Sequence, residues 1–278
     1  MSWRKEALAQ PQCPGLHPEA GFIRVEGLGM SFGDRIVLDG VDLDIHRGEV
    51  FVIMGPSGCG KTTMMRHLCG LTRPTRGSVV IEGQDVFSLA PSELRTLRLR
   101  TGLAFQGGAL LGSLSVLENV ALPLRENTDL DGEFVLEIAR MKLEMVGLLH
   151  AADLLPASLS GGMKKRAAIA RAIALDPEIL FFDEPSAGLD PVTAAEVDNL
   201  ICKLNQVFGI TTIVVTHDLP SAQCIADRVA VFFDGRVAAV GEKEHVWHHQ
   251  DERIRDFIER RMREADERDM DIATFMAM

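Results

Sequence analysis

The chain has 278 residues, 46% hydrophobic and 25% charged, so it is long enough for a full core and has the balance of an ordinary globular protein. Its net charge of -11 argues against nucleic acid as a partner. Neither a secretory h-region nor about 18 consecutive apolar residues occurs, and five cysteines without Cys-x-x-Cys spacing fit a reducing compartment. Together these features predict a cytoplasmic protein that is free to dock on a membrane partner.

Residues 1–20 are Pro-rich and aperiodic and read as a loose tail. From FIRVEGLGM to RIVLDGVDLDI the apolar residues alternate, predicting antiparallel strands with Gly/Asp turns. EVFVIM is a short apolar run of the kind that forms a buried parallel strand, and it leads through a glycine loop into the helix KTTMMRHLCGL. The stretch from about 91 to 165 reads mostly as helix, with TGLAFQ as a strand-like exception, and is taken as an inserted helical subdomain. EILFFDEP and TTIVVTHD are two further buried strands ending in polar residues. RVAVFFDGRVAAVG is a hairpin with a type I′ Asp234-Gly235 turn. Residues 242–278 form a charged helical extension beyond a main domain at 21–241. Strands alternating with helices, with polar residues at the strand ends, predict an α/β fold whose site lies at those ends.

GPSGCGKT, Gly55 to Thr62, matches the phosphate-loop pattern with a strand before it and a helix after it. Gly55, Gly58 and Gly60 let backbone N–H groups face phosphate oxygens, with Pro56, Ser57, Cys59 and Thr63 completing the cradle. Cys59 reads as a small filler. Lys61 supplies a cation to the β/γ-phosphates and Thr62 a hydroxyl to Mg2+. The expected ligand is ATP with Mg2+. Asp183 ends a buried strand and would hold the metal. Glu184 beside it would orient or deprotonate the attacking water. Gln106, at the end of TGLAF, could reach Mg2+ or that water, and His217 could contact the γ-phosphate.

SLSGGMKKRAAIARA adds a second glycine turn opening a helix. Ser160 can cap it, and Gly161 and Gly162 allow close approach. Basic residues in a first helical turn oppose the macrodipole, which suggests an anion nearby. The helical insertion would carry this turn away from the chain's own phosphate loop. Two copies pairing head-to-tail would put each nucleotide between the loop of one and the turn of the other.

In order, the phosphate loop, Gln106, LSGGM, ILFFDEP, SAGLD and His217 resemble the nucleotide-binding subunit of an ABC transporter over residues 22–241. The resemblance implies a phosphate-loop (RecA-like) core with an antiparallel β subdomain and an inserted α-helical subdomain. It also implies a homodimer with ATP at its interface, Phe32 stacked on adenine where the family often has Tyr, and Asp190 across the dimer interface. Met163 stands where the family usually has Gln. FQGGALLGSLSVLENVALPLRENTDL, with LSGGM and DEPSAGLDP, looks like the ATPase of bacterial Mla/Mce-type phospholipid-trafficking transporters. That likeness implies a peripheral position on the cytoplasmic face of the inner membrane, a permease, an MCE-domain protein and a small STAS-domain protein. His245, His248 and His249 fall at helical spacing and read as a solvated face ahead of a metal site. Ile254, Phe257, Ile258 and Met262 form an apolar stripe expected to pack on the parent domain.

Overall fold

The computed structural model describes residues 21–259; the expected N-terminal tail, Met262 and the rest of the C-terminal extension lie outside them. The antiparallel strands β1 (Ile23–Phe32) and β2 (Arg35–Ile45) pair through the Gly33-Asp34 turn. With β4 (Arg76–Ile81) and β5 (Gln84–Asp85) they make a four-stranded sheet of order β2-β1-β4-β5. Strand β3 (Val50–Met54), with all five residues buried, belongs to a second sheet. That sheet also contains β6 (Thr101–Ala104), β7 (Ile179–Asp183), β8 (Thr211–Val215), β9 (Arg228–Phe233) and β10 (Arg236–Glu242), in the order β10-β9-β3-β8-β7-β6. It is parallel except for the β9–β10 hairpin. At the hairpin turn Asp234 and Gly235 have φ of 47° and 75°, as a type I′ turn requires.

Because side chains alternate along a strand, the buried parallel sheet divides the interior in two. Phe51, Ile53, Phe181, Ile213 and Phe232 face the antiparallel sheet and helix α1 (Lys61–Leu68). Helix α2 (Pro91–Leu99) adds Leu94 and Leu97 to this side. Val52, Met54, Phe182, Val214 and Val231 face the other core, with α3 (Val116–Asn127), α4 (Gly132–Met145), α5 (Gly161–Ala172), α6 (Pro191–Phe208) and α7 (Leu219–Ile225). Phe51, Phe181, Phe182 and Phe232 are among the largest fully buried side chains. Each contributes about 1.5–3 kcal/mol of transfer free energy. The sheet can therefore serve as a rigid platform for the loops at its ends.

Helix α3 starts at a capping box, with Ser115 and Glu118 exchanging side chain-to-backbone hydrogen bonds. It carries Pro123 through its second half, where the Asn127 amide donates to the carbonyl of Pro123 at 2.9 Å. At the N-terminal end of the parallel strands Arg47 and Arg100 each pair with both Glu82 and Glu178 and close a ring of charge. After β10 the chain forms two short helices, α8 (Lys243–Trp247) and α9 (Glu252–Ile258). Ile254 of α9 is fully buried, and Phe257 meets Phe233 edge-on at 5.8 Å between centroids. Ile258 also packs on the core, so the stripe packs on the parent domain over its described length. His248 donates from Nδ1 to the Glu244 carbonyl, and His249 accepts from the Asp251 N–H, so both rings are engaged locally. Among the described residues no helix is long and apolar enough to cross a membrane.

Candidate functional site: a phosphate loop at the strand ends

The candidate residues gather where β3, β8, β7 and β6 end side by side. The loop after β3 bends through Gly55, Gly58 and Gly60, at φ of 150°, 81° and 102°. A Cβ on Gly55 would lie 2.3 Å from the Phe232 carbonyl oxygen, and one on Gly60 would lie 2.7 Å from Leu38 Cδ2. Only glycine fits either position. Pro56, Ser57 and Gly58 form an exposed rim, while Cys59 is buried and its thiol is pushed up by burial, as a filler would be. Lys61 is buried, and its ammonium donates to the carbonyls of Gly55 and Pro56 at 2.8 and 2.9 Å. The cation is thereby held across the mouth of the loop. Thr62 and Thr63 follow in the first turn of α1, whose opening N–H groups lack intrahelical acceptors and favour an anion.

The Thr62 hydroxyl donates to Asp183 Oδ1 at 3.3 Å, so the two residues expected to hold a metal are neighbours. Burial raises the Asp183 carboxyl above its ordinary range, with the Thr62 hydrogen bond acting in the opposite direction. A hydroxyl and a carboxylate are hard oxygen donors and suit Mg2+, which keeps several of its own waters. The donor set therefore fits the expected ion.

Glu184 has φ of 51°, a left-handed conformation costing about 1–3 kcal/mol in a residue with a side chain. Its N–H donates to the Val215 carbonyl at 2.8 Å. Its carboxylate contacts His217 Nδ1 at 2.7 Å through Oε1 and accepts from the Thr216 hydroxyl at 3.2 Å through Oε2. His217 keeps Nε2 as a second hydrogen-bonding atom, on a side chain 58% exposed. Beside Glu184 and His217 lies a cavity of about 550 Å³, lined also by Gly188, Leu219 and Phe257.

Gln106 enters this cluster through its main chain. Lys165, at the start of the second turn of α5, donates to the Gln106 carbonyl at 2.6 Å and to the Glu184 carbonyl at 2.7 Å. Burial lowers its pKa, and the charges of Glu184 and Asp183 raise it. Of the basic residues that open α5, Lys165 is thus engaged by two backbone oxygens of its own chain. Arg171, two turns later, likewise donates to the carbonyls of Gly108 and Ala109. Lys165 and Thr216 were both missed as site residues. Their signals, a lysine in a glycine-led turn and a threonine just after a buried strand, mean nothing until the strand order is known.

Ser160 caps α5 by accepting the Met163 N–H at 3.2 Å. Gly161 is exposed and Gly162 buried, and a Cβ on Gly162 would lie 2.4 Å from Thr193 Cγ2. Met163 packs against the adjoining core, which gives its apolar side chain a use there. Asp190 caps α6, accepting from the N–H groups of Val192 and Thr193 and from the Thr193 hydroxyl. Those bonds, the hydroxyl foremost, hold its carboxyl below the usual range. Phe32 stands at the tip of β1, 56% exposed.

A phosphate loop after β3, a Thr–Asp pair and a glutamate at the end of β7 braced from the intervening β8 define a nucleotide-binding cassette of the phosphate-loop class. Residues 38–187 match the family model described as ABC transporter. The intermembrane phospholipid transport system ATP-binding protein MlaF of Haemophilus influenzae is 43% identical over 85% of this chain and 89% of its own length. Its Escherichia coli K12 counterpart is 40% identical over 86% and 89%. The probable ribonucleotide transport ATP-binding protein mkl of Mycobacterium tuberculosis H37Rv is 39% identical over 85% of this chain and 66% of its own. Among solved structures, a dimeric ATP-binding cassette in a post-hydrolysis state with ADP and Pi aligns at TM-score 0.73 and 36% identity, covering 79% of this chain and 98% of that one. The chain belongs to the ABC transporter family, as an ATP-binding subunit.

Proposed function

We propose that this protein is the ATP-hydrolysing subunit of a bacterial transporter that moves phospholipid between the inner and outer membranes through a partner permease. The observation that carries the hydrolysis reading is the placement of Glu184, fixed by His217 and Thr216 beside the Thr62–Asp183 pair. The cargo is supported by the likeness to the two phospholipid-transport subunits, which extends over most of both chains.

Lys61 and the N–H groups of the loop residues other than Pro56 bind the β- and γ-phosphates, and Phe32 stacks on adenine. Thr62 and Asp183 hold Mg2+, with Gln106 as a further ligand or sensor; the ion neutralises charge on the phosphates when bound. Glu184 accepts a hydrogen bond or proton from the attacking water, and His217 keeps its carboxylate aimed. Two copies pair head-to-tail, so that Ser160, Gly161 and Gly162 of one complete the nucleotide site of the other and Asp190 links the two sites. Closure on ATP and reopening after hydrolysis drive the permease from the cytoplasmic face of the inner membrane, where the subunit sits peripherally. An MCE-domain protein and a small STAS-domain protein complete the assembly.

The test is an affinity purification of tagged Glu184→Gln from detergent-solubilised membranes with Mg-ATP, with mass spectrometry of proteins and lipids. A permease with an MCE-domain protein and phospholipid is expected. In the assembled complex Glu184→Gln should lower turnover by about 100-fold or more. A permease with a soluble binding protein would discard the lipid cargo and keep the ATPase. Unchanged turnover in Glu184→Gln would discard the hydrolytic role of Glu184.

A further inference from the structure

One buried charge near the site has no part in this scheme. Asp198 lies in α6 and is 5% exposed. Its Oδ2 accepts the Ser221 hydroxyl at 2.6 Å, and the Ser221 oxygen lies 3.0 Å from that of Ser186. Both serines are buried. A serine hydroxyl has one proton to give. Ser221 gives its proton to the carboxylate, so Ser186 donates across the 3.0 Å contact. The relay therefore has one direction, from Ser186 through Ser221 to Asp198. No donor among the described residues reaches Asp198 Oδ1. Burial raises the carboxyl of Asp198, and the Ser221 hydrogen bond lowers it.

A buried carboxylate with one oxygen unanswered costs stability that an apolar side chain in α6 would not. What it does is join two segments. Ser186 lies two residues after the strained Glu184, and Ser221, in α7, lies four residues after His217. The direct Glu184–His217 hydrogen bond thus has a second tie beneath it, through a single carboxylate on α6. At the far end of the same loop, Asp190 is bonded to the first turn of α6. Residues 184–190 are consequently fastened to α6 at both ends.

We propose that Asp198 is a positioning residue for ATP hydrolysis: through Ser221 and Ser186 it seats the Glu184 loop against the His217 loop. It touches no substrate. The proposal rests on the hydrolysis reading, whose own failure would show as absent turnover in the unmodified complex.

The experiment measures turnover against ATP concentration in the purified membrane complex, normalised to folded protein by circular dichroism. Ser221→Ala and Asp198→Ala should each lower kcat about tenfold, the order expected for losing a hydrogen bond to a charged group, with KM for ATP unchanged. The double substitution should be no worse than the more damaging single one, because both cut the same relay. Asp198→Asn keeps an oxygen acceptor for Ser221 and should restore most of the kcat lost in Asp198→Ala. If Asp198→Ala does not fold, Ser186→Ala paired with Ser221→Ala makes the same cycle. A kcat in Ser221→Ala within about twofold of the unmodified complex, additive losses, or a change confined to KM would each overturn the proposal.

Discussion

Two glycine turns serve this protein, and their glycines are used for opposite reasons. In the phosphate loop Gly55, Gly58 and Gly60 all have positive φ, and the backbone is bent into a shape other residues would strain. Around Ser160 the two glycines already lie inside α5, and Gly162 is needed for lack of bulk, because α6 comes within reach at Thr193. The first turn makes a cradle closed by its own Lys61. The second makes a capped helix start with an exposed edge, and Lys165 just beyond it is bonded to carbonyls of its own chain. A glycine pattern alone thus does not say whether the backbone is bent to hold a ligand or thinned to admit a neighbour.

That difference predicts which measurement each substitution moves. Gly60→Ala should do the most damage. A left-handed φ and a contact with the Val37 carbonyl oxygen at 2.9 Å together cost about 3 kcal/mol or more. ATP binding by the purified chain, followed by calorimetry, should fall at least about 100-fold. Lys61→Ala leaves the loop's bends in place and removes only its cation, so ATP should bind about 30-fold more weakly, near 2 kcal/mol. Gly162→Ala should leave ATP binding by the single chain unchanged and lower turnover of the assembled complex about tenfold, an effect of packing near 1.4 kcal/mol. Thr193 cannot simply turn away, since its hydroxyl is bonded to Asp190 at 2.6 Å. Thr193→Ser removes the offending methyl and keeps that hydroxyl, so Gly162→Ala with Thr193→Ser should recover turnover. If Gly162→Ala weakened ATP binding as Gly60→Ala does, the two turns would not differ as described. Smallest is Ser160→Ala: loss of the α5 cap should lower unfolding stability by about 1 kcal/mol in thermal denaturation.

The sequence by itself determined what depends on neighbouring residues. The phosphate loop could be read because glycines, lysine and threonine must follow one another at fixed spacing. Asp183 and Glu184 were legible because two carboxylates close an otherwise apolar strand, and the Asp234-Gly235 turn because few residue pairs accept positive φ twice. Only the tertiary structure decided which strand ends meet. Thr216 braces Glu184 because β8 lies next to β7, and Lys165 reaches both Gln106 and Glu184 because α5 crosses the ends of β6 and β7. The Ser186–Ser221–Asp198 relay joins residues 35 and 23 positions apart, on the turn after β7 and on two helices. No local pattern encodes such partners. They are set by the order in which buried strands pair, and that order is a property of the whole packed sheet.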